Sequence, residues 1–342
     1  MFDTKKTIRY MGNKSKLLDF IVPEILNHTS NDDVVCELMS GTNAITYALK
    51  KHRCVYTNDI QYYSYIIACA LIKNNSITIK SDEALIELKE NFDYNIQNKV
   101  YDFFEKNYSD TYFSKNQCIE IDSLRYAIEK VRNVDKKNLY LVSLMHAMCI
   151  CQATSGHFAQ YLPQDHPRLK SISKKSIFDE FLKKCDDFNN IVFSNFENKC
   201  FNEDYVDLIN SKEFEKVKLV YIDPPYTGEQ YSRFYHILET VCKYDNPALE
   251  FKGLYRTDRY TSSFSLRKKA FDEFEKLLKL LSNKKKKIII SYSTKGLIKD
   301  YELEYLIRKY FHNCETKRIN YNHSTQGKGT INLEELLFVG YN

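Results

Sequence analysis

The sequence predicts an α/β protein: a mainly parallel, doubly wound sheet with an antiparallel C-terminal hairpin and a largely helical insert. Three observations carry this. Short apolar runs bounded by polar turns alternate with stretches of helical period, the pattern of strands joined by crossover helices. Several of the runs end at an acidic residue. Two late runs, "CETKRINYN" and "LEELLFVGY", have only a polar loop between them and suit an antiparallel pair. With 43% hydrophobic and 28% charged residues in 342, the chain has an ordinary globular composition and can bury a large core.

The first strand is Val34–Leu38, and "SGTN" leads from it into the helix "AITYALKK". The second is Cys54–Thr57, ending at Asn58-Asp59 before the helix "YYSYIIACALIK". A third covers Ile191–Phe193 or Lys199–Asn202 and ends near Asp204. The fourth, Leu219–Ile222, stops at Asp223, and the fifth is Ile288–Ser291 within "KIIISYS". About 120 residues separate the second and third strands, whereas a crossover needs only about a dozen. Residues 75–195 are therefore an insert, with helical stretches such as "DEALIELKENF" and "IDSLRYAIEKVR". Residues 1–74 and 196–342 are expected to form the sheet domain.

A net charge of +5 permits a polyanionic partner without demanding one. The ten cysteines show no CxxC spacing; Cys149 and Cys151 lie in "LYLVSLMHAMCICQA", which reads as a buried helix. They are expected to be structural thiols, with no metal and no disulfides. "MFDTKKTIRYMGNKSK" lacks a secretory apolar segment, and no run reaches the roughly 18 apolar residues of a membrane span. The expectation is a soluble, cytoplasmic protein.

Open parallel sheets bind ligands beyond the carboxyl ends of their strands. The first strand runs into "ELMSGTN", where Gly41 permits a tight turn and the following helix offers free amides. Asp59 follows the second strand, 18 residues after Gly41, near the spacing of a carboxylate that grips ribose hydroxyls. The Gly-Lys-Ser/Thr phosphate loop is missing and the dinucleotide glycine pattern is broken. A nucleoside-bearing cofactor that needs no pyrophosphate grip fits better, and S-adenosyl-L-methionine is the common one. The fourth strand ends in "VYIDPPYTGEQYSRFYHILE". Two prolines remove backbone donors and fix φ, so one carboxylate and one aromatic ring are held stiffly at a strand end.

"RYMGNKSKLL", "ELMSGTN", "TNDI", "DPPY", "ISYS" and "GEQYSRFYHILETVCKYD" together resemble the D12 class of DNA adenine-N6 methyltransferases, over most of the chain. The resemblance implies a sheet of the S-adenosylmethionine-dependent methyltransferase type. It implies methyl transfer to the N6 amine of an adenine flipped out of double-stranded DNA, in a restriction-modification system with a cognate endonuclease or as a solitary methylase. Asp223 and the Pro224 carbonyl would accept hydrogen bonds from the amine, Pro225 would stiffen the turn, and Tyr226 would stack on the base. Tyr10, Gly12 and Lys14 match the motif at the methionine end of the cofactor. Glu37, Met39 and Gly41 match the first-strand motif, Asp59 the ribose contact, and Asp204 the acid near the cofactor's adenine. The family usually carries Phe at position 39 and Gly at position 43, where this chain has Met39 and Asn43. Asn tolerates the left-handed conformation, so the loop can survive.

No Pro-Cys occurs anywhere, which excludes methylation at cytosine carbon-5. Cytosine-N4, an RNA base or a protein amide as acceptor, and a degenerate DNA-binding relative, stay open as alternatives. Tyr231, Arg233, Tyr235 and His236, then Arg256, Arg259, Arg267, Lys268 and Lys269, interleave cations with aromatics and suit phosphate gripping and base stacking. His323 and Ser324, beside the loop with Lys328, are further candidates for DNA contact. The insert falls where the family's variable recognition region lies, and "HFAQYLPQDHPRLK" is its most loop-like basic-aromatic piece.

Overall fold

A computed structural model describes residues 2, 4–324 and 330–342. Nine strands are present among them: β1 Val34–Glu37, β2 Cys54–Asn58, β3 Lys199–Phe201, β4 Val217–Ile222, β5 Leu249–Glu250, β6 Tyr255–Arg256, β7 Lys287–Ser293, β8 Asn313–Ser324 and β9 Thr330–Tyr341. Seven form one sheet in the order β3-β2-β1-β4-β7-β9-β8, and β5 and β6 pair separately. The first five in that order run parallel, while β9 is antiparallel to both its neighbours. This is the expected sheet with its antiparallel hairpin. Of the two candidates for the third strand, Lys199–Phe201 is the one that pairs; the 191–193 stretch is irregular.

Side chains alternate across the sheet as strand geometry requires. Val35, Leu219, Tyr221, Ile289, Leu337 and Val339 enter one buried cluster. Cys36, Val220, Ile222, Ile288, Ile290, Leu336 and Phe338 enter the other. Helices Ala270–Asn283 and Asp300–Tyr310 cover the second face through Phe274, Leu277, Leu303 and Ile307. The first face is covered by helices Leu18–Asn27, Ala44–Leu49 and Tyr62–Ala68 and also by the insert.

The insert is helical, with long helices at Ser81–Asn98, Lys115–Glu129, Val134–Cys151 and Ile177–Asp187. Phe104, Leu124, Leu144 and Phe181 belong to the same buried cluster as Leu219 and Leu337 of the sheet. One core therefore runs from the sheet into the insert, and truncating a residue such as Leu144 to Ala would cost roughly 2–5 kcal/mol. Cys149 and Cys151 lie on the buried helix as expected, and all ten cysteines are free. Among the described residues no helix is long and apolar enough to cross a membrane.

Strand order reverses between β1 and β4, each growing outward from that seam, so the carboxyl ends of β1, β2 and β4 open onto one crevice.

Candidate active site

The loop after β1 is tied down from both sides. Leu38 donates its amide to Tyr221 of β4 at 3.0 Å, and Ser40 donates to Asn58 of β2 at 3.0 Å. Gly41 then turns with φ +50°, a conformation that side chains disfavour. A Cβ there would also stand 2.9 Å from the Tyr10 ring. The Gly41 amide donates to Asp59 Oδ2 at 2.8 Å, and Gln61 donates to Oδ1 at 2.8 Å. Asn43 takes the left-handed conformation at φ 60°, accepts from the Thr57 hydroxyl at 2.6 Å and donates to the Ser64 carbonyl at 3.3 Å. The substitution of Asn for the family's Gly is thus held by side-chain bonds that glycine could not make. Glu37, at the end of β1, accepts from the Thr46 amide at 3.0 Å and from its hydroxyl. Burial holds its carboxyl well above the ordinary 4.5 despite the Thr46 bond, and Asp223 and Asp59 push the same way.

The N-terminal segment closes over this loop. Tyr10 stacks on Tyr235 with centroids 4.7 Å apart, and the Met11 amide donates to the Tyr235 hydroxyl at 2.8 Å. Gly12 has φ +74°, and a Cβ there would stand 3.2 Å from the Tyr231 hydroxyl. Asn13 caps the turn Lys14–Leu17 by accepting from the Ser15 amide at 2.7 Å, and it donates to the Thr42 hydroxyl at 3.0 Å.

Asp223, directly after β4, is faced by Lys14, whose Nζ lies 3.0 Å from Asp223 Oδ1 and 3.1 Å from Glu335 Oε1 of β9. Lys14 is 5% exposed, Glu335 0% and Asp223 18%. Burial would lower the Lys14 ammonium, but Asp223, Tyr226 and Glu335 around it hold it well above its ordinary value. Burial raises Asp223 to about 6, with Lys14 opposing and Glu335 reinforcing. Tyr226 packs edge-on against Tyr292 at 5.8 Å and has the Lys14 ammonium 5.1 Å from its ring centre. Its carbonyl accepts from the Leu297 amide at 2.8 Å, which fixes the turn after the prolines.

These groups line one cavity of about 1010 Å³, mouth included. Tyr10, Gly12, Lys14, Glu37, Met39, Gly41, Asp59, Asp204, Asp223, Pro224, Pro225, Tyr226 and Tyr231 all border it. Asp204 also caps the helix Tyr205–Asn210, accepting from the Val206 amide at 2.9 Å. The far wall comes from Tyr260, Ser262 and Phe264, which the sequence reading missed. Reciprocal bonds between Gln230 and Ser262, at 2.8 and 3.1 Å, hold that wall in place.

The DNA-facing candidates divide. Arg233 and Arg259 border a polar hollow that adjoins the cavity and shares Gln230 and Ser232 with it. Each is paired with a glutamate, Arg233 with Glu229 at 2.8 Å and Arg259 with Glu250 at 2.7 Å. His236 and Arg256 need correction. His236 is 0% exposed, its Nε2 lies 3.0 Å from the Phe158 carbonyl, and burial keeps its imidazole neutral, down to about 3. Arg256 is 1% exposed and is clamped by Asp245 at 2.7 Å and Asp258 at 2.8 Å. Both are interior groups that join segments of the fold. The side chains of His323, Ser324 and Lys328 lie outside the described residues. Glu335 was missed altogether; the available signal was an acid at an inward-facing register of an apolar strand.

Residues 10–296 match the model of a family described as D12 class N6 adenine-specific DNA methyltransferase. The chain belongs to that family. It is 32% identical over 324 residues to the type II methyltransferase M.FokI of Planomicrobium okeanokoites, covering 89% of this chain and 47% of that protein. It is 28% identical over 318 residues to the modification methylase StsI of Streptococcus sanguinis, covering 89% and 46%. With the type II methyltransferase M.CviAII of Paramecium bursaria Chlorella virus 1 it is 27% identical over 348 residues, and 98% of each chain is covered. The chain spans about half the length of the first two of these relatives. The resemblance seen in the motifs and the methyltransferase sheet are both borne out.

Proposed function

We propose that the chain transfers a methyl group from S-adenosyl-L-methionine to the N6 amine of an adenine everted from double-stranded DNA. The observation that carries the reading is that Asp223 and Tyr226 share one cavity with Gly41 and Asp59.

The donor side fits S-adenosylmethionine. At Gly41 only a glycine leaves the backbone open beside the Tyr10 ring, and Glu37, Asp59 and Asp204 offer acceptors for ammonium, ribose and base amine groups. Met39 and Phe264 add apolar wall. These residues, with Tyr10 and Gly12, would hold the cofactor, which supplies a methyl group activated on a positive sulfur.

The rest of the chemistry belongs to the chain. Adenine's exocyclic nitrogen is a poor nucleophile because its lone pair is delocalised into the ring. Acceptors placed where positive charge develops on that nitrogen stabilise the transition state more than the ground state. Asp223 and the Pro224 carbonyl serve as those acceptors, and burial makes the Asp223 carboxylate more basic than an exposed one. Pro224 and Pro225 keep the acceptors from relaxing away. Tyr226 offers a ring face to the everted base, recovering part of the unstacking cost of a few kcal/mol. Arg233 and Arg259 beside the mouth suit phosphate contacts.

We assign DNA reading to the insert. His157 stacks on Phe234 at 4.2 Å, and the Phe158 amide donates to the Phe234 carbonyl at 2.9 Å, so the loop "HFAQYLPQDHPRLK" is moored to the segment after the Asp223-Pro224-Pro225-Tyr226 tetrad. The relatives' names, type II methyltransferases and modification methylases, support a place in restriction-modification, with a cognate endonuclease as functional partner.

The test is to methylate DNA in vitro with labelled donor and digest it to nucleosides. N6-methyladenine is expected, and Asp223→Ala should abolish its formation while donor binding survives. Label in another base, or near-normal transfer by the variant, would overturn the assignment.

A further inference from the structure

Lys14, Asp223 and Glu335 bring one positive and two negative side chains together where water barely reaches. Glu335 is the odd member. It projects from the middle of β9, is fully buried, and accepts from the Ser291 hydroxyl of β7 through Oε1, the oxygen that also faces Lys14. Its other oxygen, Oε2, is buried without a hydrogen-bond partner. A buried carboxylate with a free oxygen is expensive, and a neutral residue there would pack at lower cost. A simple structural strut would not need the charge.

The distances indicate what the charge does. Lys14 Nζ stands almost equally far from Asp223 Oδ1 and Glu335 Oε1, at 3.0 and 3.1 Å. With Asp223 as its sole partner, the ammonium would neutralise the carboxylate that must accept the amine protons. Without Lys14, Asp223 would face Glu335 and Glu37 with no cation among the groups acting on it.

We propose that Glu335 is a positioning residue for Asp223: it draws the Lys14 ammonium to a point between two carboxylates, so that the cation anchors Asp223 without cancelling its charge. The inference rests on reading Asp223 as the acceptor of the target amine. Among the described residues, the titratable groups acting on or responding to Asp223 are Lys14, Glu335, Glu37, Tyr221, Tyr226 and Tyr231. Only Lys14 is cationic, and only Glu335 touches that cation as Asp223 does.

The test is the pH profile of kcat/KM in Glu335→Gln, which keeps the volume and removes the charge. Lys14 then acts on Asp223 alone, so the acid limb should move to lower pH by roughly half to one unit. The plateau kcat should fall about five- to tenfold, with KM for donor and DNA changed less than about twofold. Ser291→Ala is the second variant, and it also serves if the Gln variant fails to fold. Without its hydroxyl donor the ionised form of Glu335 is disfavoured, so the limb should move the same way but by less. In a Lys14→Met background, Glu335→Gln still removes the direct repulsion on Asp223, so the limb should move by a different amount than it does with Lys14 present. An acid limb that stays in place in either variant, or a loss of activity that only tracks the folded fraction on thermal unfolding, overturns the proposal. Asp223→Ala keeps the two readings apart. If it still methylates, the acceptor assignment fails; if it is inactive while the Glu335→Gln limb stays put, only the role of Glu335 fails.

Discussion

The Gly41 amide donates to the Asp59 carboxylate across 2.8 Å, which ties the loop after β1 and the end of β2 into one wall. The same glycine has Tyr10 against it, and Tyr10 rests on Tyr235, nine residues beyond Tyr226. The loop after β1 and the helical segment after β4 are therefore braced against each other through rings.

Gly41→Ala tests that wall. Alanine at φ +50° is strained by about 1 kcal/mol or more, and its Cβ must also displace the Tyr10 ring. Calorimetric titration with S-adenosylmethionine should show affinity reduced by roughly tenfold or more.

Asp223 sets a pH dependence. Burial lifts its carboxyl from the ordinary 3.8 to about 6. The ionised form stabilises positive charge on the amine far better than the protonated form, so kcat/KM should hold above the raised value and decline as pH falls through about 6. A profile that is flat from pH 7 down to 5 would contradict this.

Asn43 makes a graded prediction. Asn43→Ala loses the bonds to Thr57 and Ser64 and places alanine at φ 60°, so unfolding by denaturant should show a loss of roughly 2–4 kcal/mol. Asn43→Gly relieves the strain and loses only the bonds, and should cost less.

Arg233 and His236 lie three residues apart and should respond oppositely. Arg233→Ala should weaken DNA binding and reduce the salt slope by about one, with stability little changed. His236→Phe should leave the salt slope alone and lose stability at pH 7.5, where the bond to Phe158 is missing. The native imidazole titrates near 3 when folded and near 6.5 when unfolded, so its contribution falls as pH drops below 6.5. Thermal unfolding should show the gap between native and variant narrowing from pH 7 to 5.

Most of the sheet was legible because the middles of β1, β4 and β7 are buried on both faces and read as short apolar runs: Val34–Cys36, Leu219–Ile222 and Ile288–Ile290. β3 was ambiguous for a physical reason: it is only three residues long and all three are half-buried, so neither face imposes a pattern. The tetrad and Gly41 were legible because proline and glycine declare their backbone demands locally. Glu335 was not. An acid in "LEELLFVGY" reads as solvated while β9 pairs only with β8, and the sequence does not display the second pairing, with β7, that buries it. His236 and Arg256 failed for a related reason. Cations after the tetrad looked like DNA contacts, but the helix His236–Lys243 turns its histidine inward with Ile237 and Val241. Arg256 meets its acids only once the β5–β6 ribbon folds Asp245 beside it.

The strand that carries Glu335 slots between β7 and β8 although it follows both in the chain. A nascent polypeptide leaving the ribosome exposes its lysine and its acceptor acid well before the third charge has been made. If that third charge tunes the acid, the pair made earlier waits for β9 to insert between β7 and β8 before it meets its full electrostatic surroundings.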